Sequence, residues 1–225
     1  MVNAVSRQSI VAMTKATNWD EYYKKPKGAA NFTRAITRAK LVRTLKEHIS
    51  GPISVCEMGG ANSCILDAIC ENFEVEEYSV IDTNDYGLSL LPETCGTTKI
   101  NRSLSDILTL TPRADETFDL VLSIGLIEHF DVAKTKKAVE AHLHACRPEG
   151  YILMTFPTPT VLYRMIRGCA EVFGIWKFPD ERPLRAEEVI TTLETQSDII
   201  HTSINWWIGL TQYYVLVQKH AKADA

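Results

Sequence analysis

The pattern of hydrophobic and polar positions changes near residue 50. Before that point it is helical: in NFTRAITRAKLVRTLKEHI, residues 31–49, apolar residues recur at helical spacing with arginines between them. Gly51 and Pro52 then supply a pair of residues that ends a helix. We therefore predict a helical cap over residues 1–50 and a second unit that starts at residue 51.

After residue 50, strand-like runs alternate with amphipathic helical stretches. Five runs predict strands: ISVCEMG, EEYSVIDT, TTKINRS, FDLVLSIG and GYILMTFPT. Two of the stretches between them predict helices, NSCILDAICENF and DVAKTKKAVEAHLHACR. Strands that alternate with helices form a parallel sheet with helices on both faces.

The C-terminal part departs from this alternation. IIHTSINWW and TQYYVLVQK both predict strands, and only the tripeptide IGL separates them. A parallel crossover needs about a dozen residues or more, so these two strands must pair antiparallel. We therefore predict an α/β fold over residues 51–218, with a seven-stranded sheet that is mostly parallel and ends in an antiparallel hairpin. Residues 219–225 form a tail.

Composition and charge narrow the function classes. The formal net charge of −4 leaves no basic surplus for a phosphate backbone, so nucleic acid is not an expected partner. No apolar run reaches the ~18 residues of a membrane span, and the first residues show no signal-peptide pattern, so we expect a cytoplasmic protein. No cysteine has the spacing of a zinc site, and we expect no metal. We expect reduced, mostly buried cysteines at Cys56, Cys64, Cys70, Cys95, Cys146 and Cys169.

The stretch ISVCEMGGANSC, residues 53–64, predicts a ligand site at the end of the first strand, where open parallel sheets bind ligands. Gly59 and Gly60 let the backbone turn tightly and approach a ligand. Glu57 would repel the phosphates of a dinucleotide but suits a ligand that carries an ammonium there. Asp82 ends the second strand, where a carboxylate can accept hydrogen bonds from ribose hydroxyls. One ligand that combines an ammonium with a ribose is S-adenosylmethionine.

These motifs carry a specific resemblance. Over residues 50–218 the sequence resembles a class I S-adenosylmethionine-dependent methyltransferase. The family's first motif is an acid, a spacer and Gly-x-Gly-x-Gly. Glu57 and Gly59 match it, whereas Ala61 and Ser63 replace the second and third glycines. FDLVLSIGLIEHF resembles the fourth-strand motif, and RPEGYILMTFP the helix end and fifth strand. The resemblance implies a Rossmann-like sheet, S-adenosylmethionine as cofactor and S-adenosylhomocysteine as product.

The resemblance also implies which residues bind the cofactor. Asp82 matches the ribose-binding acid, and Asp85 competes for that role. Asp106 and Ile107 follow the third strand, where the family contacts the adenine. Ser123 lies where methyl donor and acceptor would meet. The predicted cofactor-binding residues are Glu57, Gly59, Gly60, Asn62, Asp82, Asp106, Ile107 and Ser123.

Glu128 and His129 are the candidate catalytic residues. An imidazole beside the cofactor can act as general base on a hydroxyl acceptor, because its ordinary pKa of about 6.5 suits that work. The alternative is that this pair only fixes the turn into the next helix. His142 and His144 lie in that helix, and we expect them on its surface.

The acceptor side is predicted from an insertion. Residues 158–185 exceed a normal connection of about 2–6 residues, so we expect a lid or wall over the methyl group, with residues 219–225 outside the fold. The aromatic residues Tyr163, Phe173 and Trp176 of the insertion predict a partly enclosed acceptor, and Arg164 and Arg167 suit an anionic one. The fourth strand lacks the Asn/Asp-Pro-Pro-aromatic signature of amide and base N-methyltransferases. We therefore expect a small-molecule or glycan-precursor acceptor.

Other predictions concern the aromatic segments and the competing function classes. WDEYYKK, residues 19–25, is either a lid over the cofactor or a helix that only packs on the sheet. We expect Trp206 and Trp207 to pack under the sheet, with the alternative that one of them lines the pocket. An NAD(P)-dependent oxidoreductase would share the sheet and Asp82, but needs Gly-x-Gly-x-x-Gly. A catalytically silent, methyltransferase-like subunit would keep the fold without turnover. The oligomeric state is not predicted.

Overall fold

The computed structural model describes residues 16–24, 30–110 and 117–221. Parts of the predicted cap, residues 1–15 and 25–29, and most of the predicted tail, residues 222–225, lie outside these ranges. In the described part of the cap, α1 spans Trp19–Lys24 and α2 spans Ala30–Lys46.

The rest of the chain forms one mixed sheet with helices around it. The strands are β1 Ile53–Met58, β2 Val75–Asp82, β3 Thr94–Cys95, β4 Thr98–Leu104, β5 Phe118–Ile124, β6 Cys146–Pro157, β7 Ser197–Asn205 and β8 Gln212–Lys219. The helices are α3 Leu66–Asn72, α4 Asp85–Ser89, α5 Val132–Ala145, α6 Val161–Val172 and α7 Ala186–Leu193, with a short 3-10 helix at Ile127–His129.

The sheet order is β3-β4-β2-β1-β5-β6-β8-β7. The five strands from β4 to β6 are parallel, and β8 pairs antiparallel with both β6 and β7. The predicted hairpin is therefore confirmed. The predicted count of seven strands is one too low, because the two-residue β3 adds an antiparallel edge strand beside β4.

The core lies on both faces of this sheet, as the alternation of strands and helices predicted. Successive residues of β1 show it: Val55 packs in the cluster with Leu41 and Leu45 of α2, and Cys56 packs in the cluster with Leu143 of α5. Because neighbouring side chains of a strand point to opposite faces, β1 is buried on both sides. Its carboxyl end is thereby held in a fixed position.

Three predictions about single side chains are wrong. Cys70 and Cys95 form a disulfide that joins α3 to β3, so not all cysteines are reduced. His142 is fully buried, and its Nδ1 bonds the carbonyl of Ala138 inside α5. The two tryptophans Trp206 and Trp207 are 55% and 82% exposed and do not pack under the sheet. The periodicity of apolar residues alone did not show which faces of the helices pack against the sheet.

None of the helices in the described part of the chain is both long and apolar enough to cross a membrane.

Candidate active site

A cavity of about 530 Å³ opens at the carboxyl ends of β1, β2 and β5, where the strand order runs in both directions from β1. This is the place where open α/β sheets bind ligands. Eight of the ten predicted site residues line it: Glu57, Gly59, Asn62, Asp82, Asp106, Ile107, Glu128 and His129. The other two, Gly60 and Ser123, do not line it; Gly60 supports the wall, and Ser123 is fully buried within β5.

Glu57 is the most buried carboxylate at the cofactor end of the cavity, with 3% of its surface exposed. Its Oε1 accepts a hydrogen bond from the Ser63 hydroxyl and its Oε2 accepts one from the Tyr78 phenol, each at 2.8 Å. Burial raises the pKa of Glu57 to about 7, although both hydrogen bonds favour the charged form. A cation bound beside it would restore the charged state.

The turn after β1 needs small residues for a steric reason. Gly59 has φ +68°, in the left-handed region that favours glycine. A Cβ on Gly60 would lie 2.6 Å from Cγ of Glu57 and 2.9 Å from Cγ1 of Val80. Asn62 also has a positive φ, +54°, which asparagine tolerates better than most residues. The turn thus brings backbone close to the acid and to the ligand space.

Asp82 is fixed by the backbone on both sides. Its Oδ2 accepts from the amide of Ala61 and its Oδ1 accepts from the amide of Asn84, each at 2.9 Å. Burial raises its pKa, and these backbone hydrogen bonds oppose that rise. Asp85, the competing candidate, is exposed in the first turn of α4 and does not line the cavity. Of the two acids, only Asp82 lines the cavity.

Asp106 and Ile107 form the third wall of the cofactor end. The Oδ1 of Asp106 accepts from the amide of Leu108 at 2.9 Å, which shapes the turn after β4. Ile107 is 5% exposed and presents an apolar surface to the cavity. An acid followed by a buried aliphatic residue suits the polar edge and the flat face of a purine.

α1 closes the same end of the cavity. Trp19, Tyr22 and Tyr23 line it, and Asp20 accepts a hydrogen bond from Nδ2 of Asn84 at 2.6 Å. Asn84 is also the N-cap of α4, directly after the turn that holds Asp82. The structure therefore supports the interpretation of α1 as a lid over that turn rather than a helix that packs only on the sheet.

At the opposite end of the cavity a buried carboxylate follows β5. Gly125 has φ +70°, and a Cβ there would lie 3.2 Å from Oε1 of Glu128. Glu128 is 3% exposed, and its Oε2 has no hydrogen-bond partner among the described residues. Burial, together with the nearby charges of Glu181 and Asp180, raises the pKa of Glu128 well above its ordinary range. A buried carboxyl oxygen without a partner is costly when charged, so the raised pKa favours the protonated form.

His129 is held by a carboxylate from the insertion. Its Nδ1 lies 3.1 Å from Oδ1 of Asp180, and the ring packs edge-on against Trp19 at a centroid distance of 4.9 Å. Burial lowers the pKa of His129, and Asp180 opposes that effect. Asp180 also accepts hydrogen bonds from the amide and hydroxyl of Thr17. With Nδ1 bound to Asp180, Nε2 is the ring atom that can accept a proton.

Glu181 completes an acidic cluster that the sequence did not reveal. The Tyr163 phenol donates a hydrogen bond to the carboxylate of Glu181, and burial raises the pKa of Glu181. Atoms of Glu128, His129 and Glu181 that could act as ligands lie within 4.8 Å of one another. Asp180 and Glu181 lie more than 50 residues after His129, so only the folded insertion brings them to it; their one signal in the sequence is an acidic pair inside an aromatic segment.

The insertion lines the cavity in part as predicted. Tyr163, Trp176 and Phe178 form its walls, whereas Phe173 is 76% exposed. The two predicted arginines, at positions 164 and 167, do not line the cavity. Arg164 is exposed. The other donates to Glu171 and to Tyr163 and stacks on Trp176. The prediction of an anion site built on these arginines is not supported.

Comparison with known proteins identifies the domain. A sequence model of the family described as "Methyltransferase domain" matches residues 56–154, the part of the chain that holds Glu57, Asp82 and Asp106. Over these residues the chain is similar to a methyltransferase domain. The predicted enzyme class and its methyl donor, S-adenosylmethionine, are confirmed by this match. No curated protein sequence matches the methyltransferase significantly.

Solved structures share the fold of this methyltransferase at low sequence identity. One is the N-methyltransferase NodS from Bradyrhizobium japonicum WM9 in complex with S-adenosyl-L-homocysteine: identity 17%, TM-score 0.62, coverage 82% of this chain and 86% of that one. Another is magnesium protoporphyrin IX methyltransferase (ChlM) from Synechocystis PCC 6803 with bound SAH, at 11% identity and a TM-score of 0.67, with 89% of this chain and 92% of that chain covered. A third is the PH0226 protein from Pyrococcus horikoshii OT3, at 14% identity and a TM-score of 0.67, with 89% of this chain and 98% of that chain covered. At these identities the likeness shows the fold.

Proposed function

We propose that this methyltransferase transfers the methyl group of S-adenosylmethionine to a hydroxyl of a small-molecule or glycan-precursor acceptor, with His129 as general base. The observation that carries the proposal is the pair formed by His129 and Asp180. His129 lines the same cavity as Glu57 and Asp82, and Asp180 holds its Nδ1 at 3.1 Å. A base held by a third group is the arrangement that activates weak nucleophiles.

The cofactor end gives each part of S-adenosylmethionine a partner. Glu57 is the proposed partner of the ammonium, Asp82 of the ribose hydroxyls, and Asp106 with Ile107 of the adenine. All four residues line the cavity. The carboxylate oxygens of Asp82 each accept one hydrogen bond from backbone and have room for another, so a ribose can bind without displacing these contacts.

The reaction requires alignment and the removal of one proton. The acceptor oxygen attacks the methyl carbon in line with sulfur; the C–O bond forms, the C–S bond breaks, and its electron pair stays on sulfur. The hydroxyl proton passes to Nε2 of His129. Asp180 stabilises the imidazolium that results, because its carboxylate accepts the hydrogen bond from Nδ1. S-adenosylhomocysteine and the methyl ether are the products.

The charges at the acceptor end favour a hydroxyl-rich acceptor. Glu128, Asp180 and Glu181 place three carboxyl groups around the imidazole, which disfavours an anionic group at that position. Carboxyl groups exchange hydrogen bonds with hydroxyls, and both Glu128 and Glu181 line the cavity. The aromatic rings of Trp176 and Phe178 supply apolar walls. These features support a neutral polyol or sugar.

Two other functions make different predictions. A catalytically silent subunit would bind S-adenosylmethionine without turnover, and an assay of methyl transfer distinguishes it from an active enzyme. An NAD(P)-dependent oxidoreductase has no support from the family match, and the carboxylate of Glu57 stands where a pyrophosphate would lie.

The test is His129→Gln in an assay with methyl-labelled S-adenosylmethionine and a panel of nucleotide sugars and hydroxylated small molecules, with a chelator present. We expect kcat to fall about 10²–10⁴-fold, the usual contribution of a general base, with unchanged cofactor affinity in calorimetry. The wild-type rate should rise with pH and level off, with an apparent pKa below the ordinary histidine value, because burial lowers the pKa of His129.

Asp180→Asn is the matched variant, since it keeps the shape of the side chain and removes its charge. It should slow the reaction less than the loss of the imidazole does. Full activity of His129→Gln would disprove the base, whereas failure of the wild-type protein to bind S-adenosylmethionine would disprove the function itself. Loss of wild-type activity in chelator would point instead to a metal held by Glu128, His129 and Glu181.

A further inference from the structure

α6 and the loop between β7 and β8 expose a large apolar surface. We call it the α6 surface and define it by Val161, Met165, Val172, Phe173, Trp206 and Trp207, which are between 55% and 84% exposed. The two segments adjoin, because a Cβ on Gly209 would lie 3.0 Å from Cδ1 of Ile166. Exposed apolar surfaces of this kind mark interaction sites.

The positions along α6 show that its apolar side faces outward. Val161, Met165 and Val172 recur at the spacing of one helix face. The opposite face packs inward through Tyr163, which is 1% exposed and lines the cavity. The helix therefore has a packed side within the protein and a second apolar side with no cover among the described residues.

The charge around the α6 surface differs from that of the whole chain. Residues 161–177 contain three basic residues, Arg164, Arg167 and Lys177, and one acidic residue, Glu171, whereas the chain has a net charge of −4. Glu171 is engaged by Arg167 at 2.7 Å, and Arg164 and Lys177 are exposed. An apolar surface with a surplus of positive charge is complementary to a partner that has an apolar interior and anionic groups at its surface.

We propose that the α6 surface binds the protein peripherally to an anionic phospholipid bilayer. Helices with an apolar face and basic neighbours lie in the membrane interface, and tryptophan is enriched there because its ring is amphipathic. α6 has 12 residues and a length of about 18 Å, so it lies on a bilayer rather than through it. Trp206 and Trp207 enter the headgroup layer beside the helix, and Arg164 and Lys177 contact the lipid phosphates.

The membrane side is also the acceptor side of the cavity. Tyr163 of α6 lines the cavity, as do Ile208 and Leu210 of the loop that carries the tryptophans. An acceptor anchored in the bilayer would therefore reach the cavity from the lipid surface. Binding to the bilayer requires no methyl transfer, so this proposal does not depend on His129 as general base.

The experiment is sedimentation of the full chain with vesicles of phosphatidylcholine alone or with about one third phosphatidylglycerol. We expect binding to the anionic vesicles, with a blue shift of tryptophan fluorescence. The double variant Met165→Glu/Phe173→Glu should bind about tenfold more weakly or worse, because it places two carboxylates in the interface. Val132→Glu is the control: Val132 on α5 is 65% exposed and Met165 is 64% exposed.

The outcomes separate lipid from other occupants. Absence of vesicle binding, or equal loss in Val132→Glu, would overturn the proposal. A wild-type dimer in analytical ultracentrifugation that the double variant dissociates, with no binding to vesicles, would assign the surface to a second copy of the chain. Thermal unfolding and S-adenosylmethionine calorimetry of the double variant should match the wild type. If they do not, Trp207→Ala, which removes one 82% exposed side chain, must weaken vesicle binding for the proposal to hold.

Discussion

Glu57→Gln should stabilise the ligand-free protein at about pH 8 while it weakens cofactor binding. Burial raises the pKa of Glu57 from its ordinary 4.5 to about 7. Between these two values the folded carboxyl holds a proton that the unfolded chain has released, so stability falls as pH rises through this range. At about 1.36 kcal/mol per pH unit, full ionisation of the buried group costs about 3 kcal/mol. Glutamine keeps the shape of the side chain and does not ionise.

The assay is urea unfolding of ligand-free wild type and variant at about pH 5 and pH 8. The difference in unfolding free energy should move by about 2–3 kcal/mol in favour of glutamine at the higher pH. Cofactor affinity of the variant, measured by calorimetry, should fall about tenfold to a hundredfold, because the amide carries no charge for the ammonium. Glu76→Gln, at an exposed position of β2, is the control.

Two results would refute this reasoning. If the stability difference between Glu57→Gln and wild type is the same at both pH values, Glu57 does not titrate as a buried group. If the variant binds S-adenosylmethionine as tightly as the wild type, the ammonium has another partner.

Two further predictions concern the same end of the cavity. Asp82→Ala should weaken cofactor binding by about 1.5–3 kcal/mol, the range for hydrogen bonds to a charged group, whereas Asp85→Ala should leave calorimetric affinity unchanged; the reverse result would move the ribose to Asp85. Gly60→Ala should destabilise the fold by about 1–3 kcal/mol in urea unfolding, because its Cβ would lie 2.6 Å from a neighbouring side-chain carbon. Gly168→Ala in α6 meets no atom within 4 Å and should stabilise by up to about 1 kcal/mol; equal effects of the two alanines would contradict the steric argument.

The cofactor end was predictable because its residues lie at strand ends or directly after them. The carboxyl ends of parallel strands meet at one edge, so Glu57 near the end of β1 and Asp82 at the end of β2 had to be neighbours once the sheet was recognised. The small residues Gly59 and Gly60 after Glu57 then indicated that the backbone approaches a ligand closely. The same reasoning found Asp106 after β4, since β4 pairs with β2.

The acceptor end was not predictable in the same way. His129 meets Asp180 across 51 residues of sequence, through an insertion whose path no periodicity determines. Tyr163 was recognised as an aromatic wall, but its bond to Glu181 depends on how α6 packs. The disulfide between Cys70 and Cys95 likewise depends on a two-residue strand too short to give a pattern. Each of these contacts joins residues that are distant in sequence and depends on how the connecting segments pack.

The short segment from Thr17 to Asp20 has a consequence for the order of events in turnover. Its first residue bonds Asp180, which orients the imidazole, and its last residue bonds Asn84, beside the turn that holds Asp82. One displacement of this segment therefore breaks contacts at both ends of the cavity. We expect the exchange of donor and acceptor to be coupled through this segment rather than independent. The segment would then have to close again in every catalytic cycle before the protein is active.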